Sequence, residues 1–254
     1  MKRRFSLVSI GLVILMTLSA TASRVLAAEL RVLTANPLSE GLKRAGELFK
    51  RETGNDVKVE VPAGGELNRI LASDEPADIL VSLPPALDRA IKDGKVIDAK
   101  LPVGKVAVGI MVRRGAAVPN IATPDAVKQA VLGADTVIYN TAPSGLYVQS
   151  MLEKFGVTEQ IKNRTARPAN GVQSMERMLA GKGNEVGFGL LSEIRPFEDK
   201  GVQLVGRLPD SLQSYTVYDG VILSRSKSLD VARQFMSFLN TPAARQAFAS
   251  TGVD

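Results

Sequence analysis

The sequence contains no cysteine, no histidine and no tryptophan, and only 5% of its 254 residues are aromatic. Without cysteine there is no disulfide framework, no thiolate metal site and no attachment point for a lipid anchor. Without histidine the commonest side-chain base is missing, so acid–base chemistry would fall to Asp, Glu, Lys or Tyr. No phosphate-binding loop, nucleophile elbow or zinc-ligand spacing occurs, and no cofactor is expected. The scarcity of aromatics also argues against stacking on single-stranded nucleic acid. Long apolar runs are absent too: the run from Leu7 to Leu18 is too short to span a bilayer.

That run carries other information. Lys2, Arg3 and Arg4 precede it, and the small-residue stretches Ala20-Thr21-Ala22 and Val25-Leu26-Ala27 follow it. This is the layout of a secretory signal peptide over residues 1–27, with cleavage after Ala27, and it predicts a soluble periplasmic protein. The leader also accounts for much of the basic balance. The whole chain has 32 basic and 26 acidic residues, a net charge of +6; the leader holds Lys2, Arg3, Arg4 and Arg24 and no acidic residue, leaving 28 against 26. A nearly neutral remainder with no dense basic run excludes nucleic acid and anionic membrane as main partners. Residues 28–254 are enough for one large or two modest domains.

Along those residues β-rich runs alternate with amphipathic helical patterns. Leu30–Thr34 reads as a strand, and Leu42, Ala45, Leu48 and Phe49 then line one face of a helix from about Ser39 to Thr53. Strands at Val57–Val61 and Ile79–Ser82 continue the alternation, with a helix carrying Leu67, Ile70 and Leu71 between them and another opening near Pro85. A second set has strands at Val106–Arg113, Thr136–Tyr139 and Glu185–Leu190. Its helices follow Pro124, carry Val148, Met151, Leu152 and Phe155 at i, i+3, i+4, i+7, and open at an Asn170/Gln173 capping box. Runs at Val202–Val205 and Tyr215–Leu223 precede a helix built on Ala232, Phe235, Met236 and Leu239, then a last helix capped by Thr241 with Pro242 at its first position. The order predicts an α/β fold in two lobes, each a mainly parallel sheet flanked by helices. No Pro/Gly/Ser linker divides them, so two strands are expected to cross between lobes, near Pro102–Val106 and Leu208–Tyr215. The expected division is residues 28–104 with 209–254 as lobe 1 and 105–208 as lobe 2.

Three strand-to-helix turns stand out: Ala35-Asn36-Pro37-Leu38-Ser39, Pro62-Ala63-Gly64-Gly65-Glu66 and Thr141-Ala142-Pro143-Ser144-Gly145. Each alone is explained as a tight turn. Jointly they share the carboxyl edge of a parallel sheet, where unpaired amides and helix dipoles can surround one small anion. Gly64, Gly65 and Gly145 would admit close backbone approach, and Ser39 and Ser144 would add hydroxyls. Arg69 and Arg167 are candidate partners for a carboxylate ligand, against the ordinary alternative of solvated surface charges. Glu66, Asp78, Glu193 and Asp219 lie at element ends, where a cap or surface charge is the usual role.

The stretches Leu30–Ser39, Gly64–Ser82 with its ending Pro76-Ala77-Asp78-Ile79-Leu80-Val81-Ser82, Pro143-Ser144-Gly145-Leu146-Tyr147 and Gly187-Phe188-Gly189-Leu190 resemble periplasmic molybdate-binding proteins and their type II solute-binding relatives. The resemblance covers nearly all of residues 28–254. It implies the two-lobed type II periplasmic-binding-protein fold with a two-strand hinge, a small anion held between the lobes, a monomer, and docking on the membrane permease of an ABC importer. It also implies a binding protein and not an enzyme. Carried over position by position, the first-turn serine of the family falls at Pro37 and the second-turn serine at Gly64. The amide-supplying residues correspond to Ser144 and Val172, and the family's tyrosine falls at Leu190. The ligand-contacting set implied is therefore Asn36, Pro37, Ser39, Gly64, Gly65, Ser144, Gly145, Val172 and Leu190. Three lost hydroxyls leave room for an organic acid as well as for molybdate or tungstate. The competing readings are a lyase or dehydratase on the same scaffold, with a cleft carboxylate of shifted pKa as its base, and a ligand-sensing subunit.

Overall fold

A computed structural model describes residues 27–63, 65–73 and 75–254. Residues 1–26 of the leader, Gly64 and Asp74 lie outside the described residues. The described strands form one curled mixed sheet in the order β2-β1-β3-β9-β4-β7-β5-β6, with β8 paired to β4. One half holds β1 (Glu29–Thr34), β2 (Asp56–Glu60) and β3 (Ile79–Ser82), all parallel. The other holds β5 (Thr136–Ile138), β6 (Thr165–Ala166) and β7 (Glu185–Leu190), also parallel. Strands buried on both faces need continuous apolar sequence, and Ile79-Leu80-Val81 of β3 and all of β7 are buried.

Antiparallel strands join the halves. β4 (Leu101–Arg113) pairs through residues 101–107 with β9 (Tyr215–Ile222), and through residues 108–113 with β7 and β8 (Val202–Arg207). β9 closes the first half by pairing antiparallel to β3. Each half is thus mainly parallel, as the strand patterns imply, and the sheet becomes mixed through the antiparallel β4, β8 and β9. β4 also starts earlier than its uninterrupted apolar run, because it tolerates a register shift between Pro102 and Gly104. The second connection, residues 208–214, is not a strand: it contains a 3-10 turn at Asp210–Leu212, tied down where the Tyr147 hydroxyl donates to the Leu212 carbonyl at 2.6 Å.

Helices α1 (Asn36–Thr53), α2 (Glu66–Ala72) and α3 (Pro84–Lys92) follow the first three strands; α4 (Pro124–Gly133), α5 (Pro143–Lys154), α6 (Thr158–Ile161), α7 (Gly171–Leu179) and α8 (Leu191–Ile194) belong to the second set. α9 (Leu229–Phe238) and α10 (Pro242–Ser250) return to the first half. Phe49 of α1 packs against Phe235 and Phe238 of α9, with ring centroids at 5.1 and 5.5 Å. Such tilted pairs add roughly 1 kcal/mol beyond apolar burial and pin α1 in place. At the other end of the chain the Thr241 hydroxyl accepts from the Ala244 amide, as its sequence position predicts. α8, which no sequence periodicity announces, begins directly at the end of β7 and packs against α1, α7 and β4. No described helix is long and apolar enough to cross a membrane.

Candidate functional site

Three helix starts converge where the sheet halves meet. α1, α5 and α7 each begin immediately after a strand or a short turn, so each aims unpaired amides and the positive end of its dipole at that edge. Proline near the first position of α1 and α5 fits those starts, since its missing N–H has no intrahelical partner there. At α7 the Asn170 side chain accepts from the Gln173 amide at 3.0 Å, and the Gln173 side chain returns the bond to the Ala169 amide at 3.0 Å. The return bond lands one residue earlier than in the usual capping box. Asn170→Ala is expected to cost about 1 kcal/mol, read as a lower urea midpoint at unchanged m-value.

The turns before α5 and α7 are bound together. Thr141 donates its amide to the Pro168 carbonyl at 3.0 Å and its hydroxyl to the Ala169 carbonyl at 3.3 Å. Beneath α5, the buried Asn140 side chain accepts from the Ala142 amide at 3.0 Å. Gly145 lies so close to this turn that an added Cβ would sit 1.9 Å from the Asn140 carbonyl oxygen.

Two adjoining cavities of about 220 and 510 Å³ occupy the convergence. Both touch Asn36, Asn170, Gly171 and Glu193. The smaller is also lined by Pro37, Asn140, Ser144, Leu190, Thr216 and Tyr218, the larger by Val61, Pro62, Ala63, Val172 and Glu176. Among the described residues lining them there is no lysine or arginine. The groups among them that favour an anion are the backbone amides at the helix starts and the asparagine side chains.

Of the residues named from sequence, Asn36, Pro37, Ser144, Val172 and Leu190 therefore meet at one cleft. Ser39 does not reach it: its hydroxyl donates to the Asn36 carbonyl at 2.8 Å, inside the first turn of α1. Gly65 caps α2, and Gly145 supports the cleft from below by closing on Asn140. Gly64 lies outside the described residues. The two arginines are elsewhere. Arg69 is 61% exposed and paired with Glu66 and Glu75, while Arg167 stacks on the Tyr139 ring at 5.0 Å.

The four carboxylates separate by environment. Glu66 accepts from the Ala63 amide, the expected local role at a helix start. Asp78 is buried but satisfied by the Arg31 amide and the Ser226 hydroxyl. Asp219 sits in β9 opposite Ser82. Glu193 departs from the surface-charge expectation. It is 9% exposed, its Oε2 has no hydrogen-bond partner among the described residues, and it faces both cavities. Its carboxyl fills the space a side chain at position 171 would need, for an added Cβ on Gly171 would lie 2.2 Å from it. Burial pushes its pKa up to about 7, against a smaller downward pull from the Leu190 backbone. Tyr218, buried opposite, has its own pKa raised by burial and by the charge of Glu193. Asn140, Gly171, Thr216 and Tyr218 are cleft residues that the sequence did not single out. Only Asn170, two positions before Val172, had a readable signal, as a cap.

The profile of the family described as bacterial extracellular solute-binding protein matches residues 30–254. Aconitate isomerase of a Pseudomonas species is 29% identical over 235 residues, covering 88% of this chain and 87% of that protein. The molybdate-binding protein of Azotobacter vinelandii is 26% identical over 237 residues, covering 89% and 90%. The solved structure of the Azotobacter vinelandii periplasmic molybdate-binding protein superposes with a TM-score of 0.68 at 18% identity, over 89% of this chain and 98% of that one. The fold is accordingly that of the type II periplasmic binding proteins.

Proposed function

The chain belongs to the bacterial extracellular solute-binding proteins, and on that premise we propose that it binds a small organic carboxylate in the cleft between the two sheet halves. The observation that carries this reading is the convergence of the α1, α5 and α7 starts on a cleft with no cationic side chain among its described lining residues. Amides at Ser144 and Val172 and the side chains of Asn36, Asn140 and Asn170 supply donors, while Pro37 and Leu190 present apolar walls. A fully oxygenated tetrahedral anion would leave oxygens against those walls unpaired, at a cost of some 1–3 kcal/mol each. An organic acid places carbon there. The similarity to an aconitate isomerase supports the same ligand class.

Residues 28–104 with 209–254, and 105–208, act as the two lobes, moving about β4 and the 208–214 connection as they close on the ligand. Residues 1–27 export the chain to the periplasm, where the closed monomer delivers its ligand to the permease of an ABC importer. Refolded protein should be screened by thermal shift against aconitate and other small carboxylates, molybdate, tungstate, sulfate and phosphate. A carboxylate at tenfold its Kd should raise the melting temperature most, by about 3–6 °C. A larger shift with molybdate or tungstate, or no shift with any carboxylate, overturns the reading.

A further inference from the structure

Glu193 is not explained by ligand capture alone. A buried carboxylate beside an anion site opposes anion binding, and a glutamine or an apolar residue would hold the same space without that repulsion. Its Oε2 has no partner among the described residues, it faces both cavities, and its carboxyl occupies the space a side chain at Gly171 would need. We infer that Glu193 transfers a proton to and from the carbon skeleton of the bound carboxylate, so that the cleft catalyses an allylic 1,3-proton shift. This rests on the proposed carboxylate-binding reading.

The step balances without a cofactor. Glu193 takes a proton from a carbon next to a carbon–carbon double bond conjugated to a ligand carboxylate: the C–H bond breaks and an O–H bond forms on Glu193. The electron pair moves into the conjugated system and onto the carboxylate oxygens. The same proton, or one exchanged with water, is then delivered to the far end of the original double bond: the O–H bond on Glu193 breaks, a C–H bond forms there, and the double bond now joins the other two carbons. Ligand and Glu193 recover their starting charges, and nothing is oxidised or reduced.

The surroundings favour both halves of the step. Charge developing on the ligand oxygens meets the amides at the starts of α5 and α7, which are fixed before the reaction begins. The titratable groups lining the same cavities are Tyr218 of β9 and Glu176 of α7, and neither supplies a cation that would weaken Glu193 as a base. A carboxyl group whose affinity for protons lies near neutrality suits taking a proton and giving it back. A bound carboxylate raises that affinity further by repulsion.

The test incubates the refolded protein with aconitate in heavy water and follows it by proton NMR. The expected result is deuterium replacing the allylic proton and conversion between the geometric isomers. Glu193→Gln, which keeps the size of the side chain, should retain the thermal shift with aconitate while exchange falls about a hundredfold or more. In the unaltered protein the exchange rate should rise with pH to a plateau, with a midpoint at or above about 7, a readout that stands even if the variant fails to fold. A thermal shift without exchange overturns this inference and leaves the binding reading intact; exchange that persists in the variant, or is flat with pH, also overturns it. No shift with aconitate or any other carboxylate overturns both.

Discussion

Raising the pH of the ligand-free protein from 5 to 8 is expected to lower its stability by about 3 kcal/mol, and Glu193→Gln is expected to remove most of that loss. The pKa of Glu193 is about 7 in the folded chain against an ordinary 4.5, and each unit of difference corresponds to about 1.4 kcal/mol. A raised acid binds its proton more tightly when folded. Below the unfolded pKa both states are protonated and nothing is lost; between 4.5 and 7 the unfolded chain ionises first, so stability falls as pH rises and levels off above 7. The chain has no histidine, so no side chain with an ordinary pKa obscures this window. The carboxylates held low by cations work at the other end. Lys50 lowers Asp56, Arg31 lowers Glu60 and Glu75, and Arg207 lowers Asp254, so their contributions are complete above their unfolded pKa values and fade only as pH falls further. Melting temperatures at pH 5 and 8 should therefore differ by roughly 6–12 °C in the unaltered protein and by much less in the variant. Equal pH dependence in the two would show that Glu193 is not buried as described.

The second large effect is expected at Gly145. Its missing side chain lets the α5 start close on Asn140, whose carbonyl oxygen would lie 1.9 Å from an added Cβ. That atom is backbone, held by the turn that the Thr141 amide fastens to Pro168, so it cannot swing aside. Gly145→Ala should cost 3 kcal/mol or more, about the upper end for overpacking, and should abolish carboxylate binding as α5 lifts from the cleft. Gly171→Ala makes a useful contrast. Its clash is with the end of the Glu193 side chain, which can move, so a cost of about 1 kcal/mol is expected. Urea unfolding of both variants measures the difference directly, and equal costs would contradict the rigidity assigned to the Asn140 turn.

What could be read from the sequence was whatever local chemistry decides. The caps at Asn170 and Thr241 and the apolar faces of α1 and α7 require only neighbours a few residues away, whereas α1 starts at Asn36, three residues before the expected Ser39. Strand direction does not work that way. β9 runs antiparallel to both β3 and β4 because the chain returns from the second half before entering it, and no feature of Tyr215–Ile222 records that. Pro102 and Gly104 hid the start of β4, since both weaken a strand pattern that a register shift accommodates. The cleft was legible in the turns before α1 and α5 and in Pro62 and Ala63, but not in the α7 start and not as a list of side chains. Ser39 has the chemistry of a ligand donor, but its hydroxyl closes its own helix turn. Glu193 looked like a helix-start carboxylate because its burial depends on Gly171 and Tyr218, which lie 22 positions before it and 25 after it.

The most direct test of the account is a crystal structure of the refolded protein with the carboxylate that gives the largest thermal shift. That ligand is expected between the sheet halves, its carboxylate oxygens on the amides of Ser144 and Val172 and its carbon skeleton beside Glu193. A ligand held instead against Arg167, or in the cavity bounded by Asp98, Arg233 and Met236 at the Gly220–Ile222 end of β9, would contradict this.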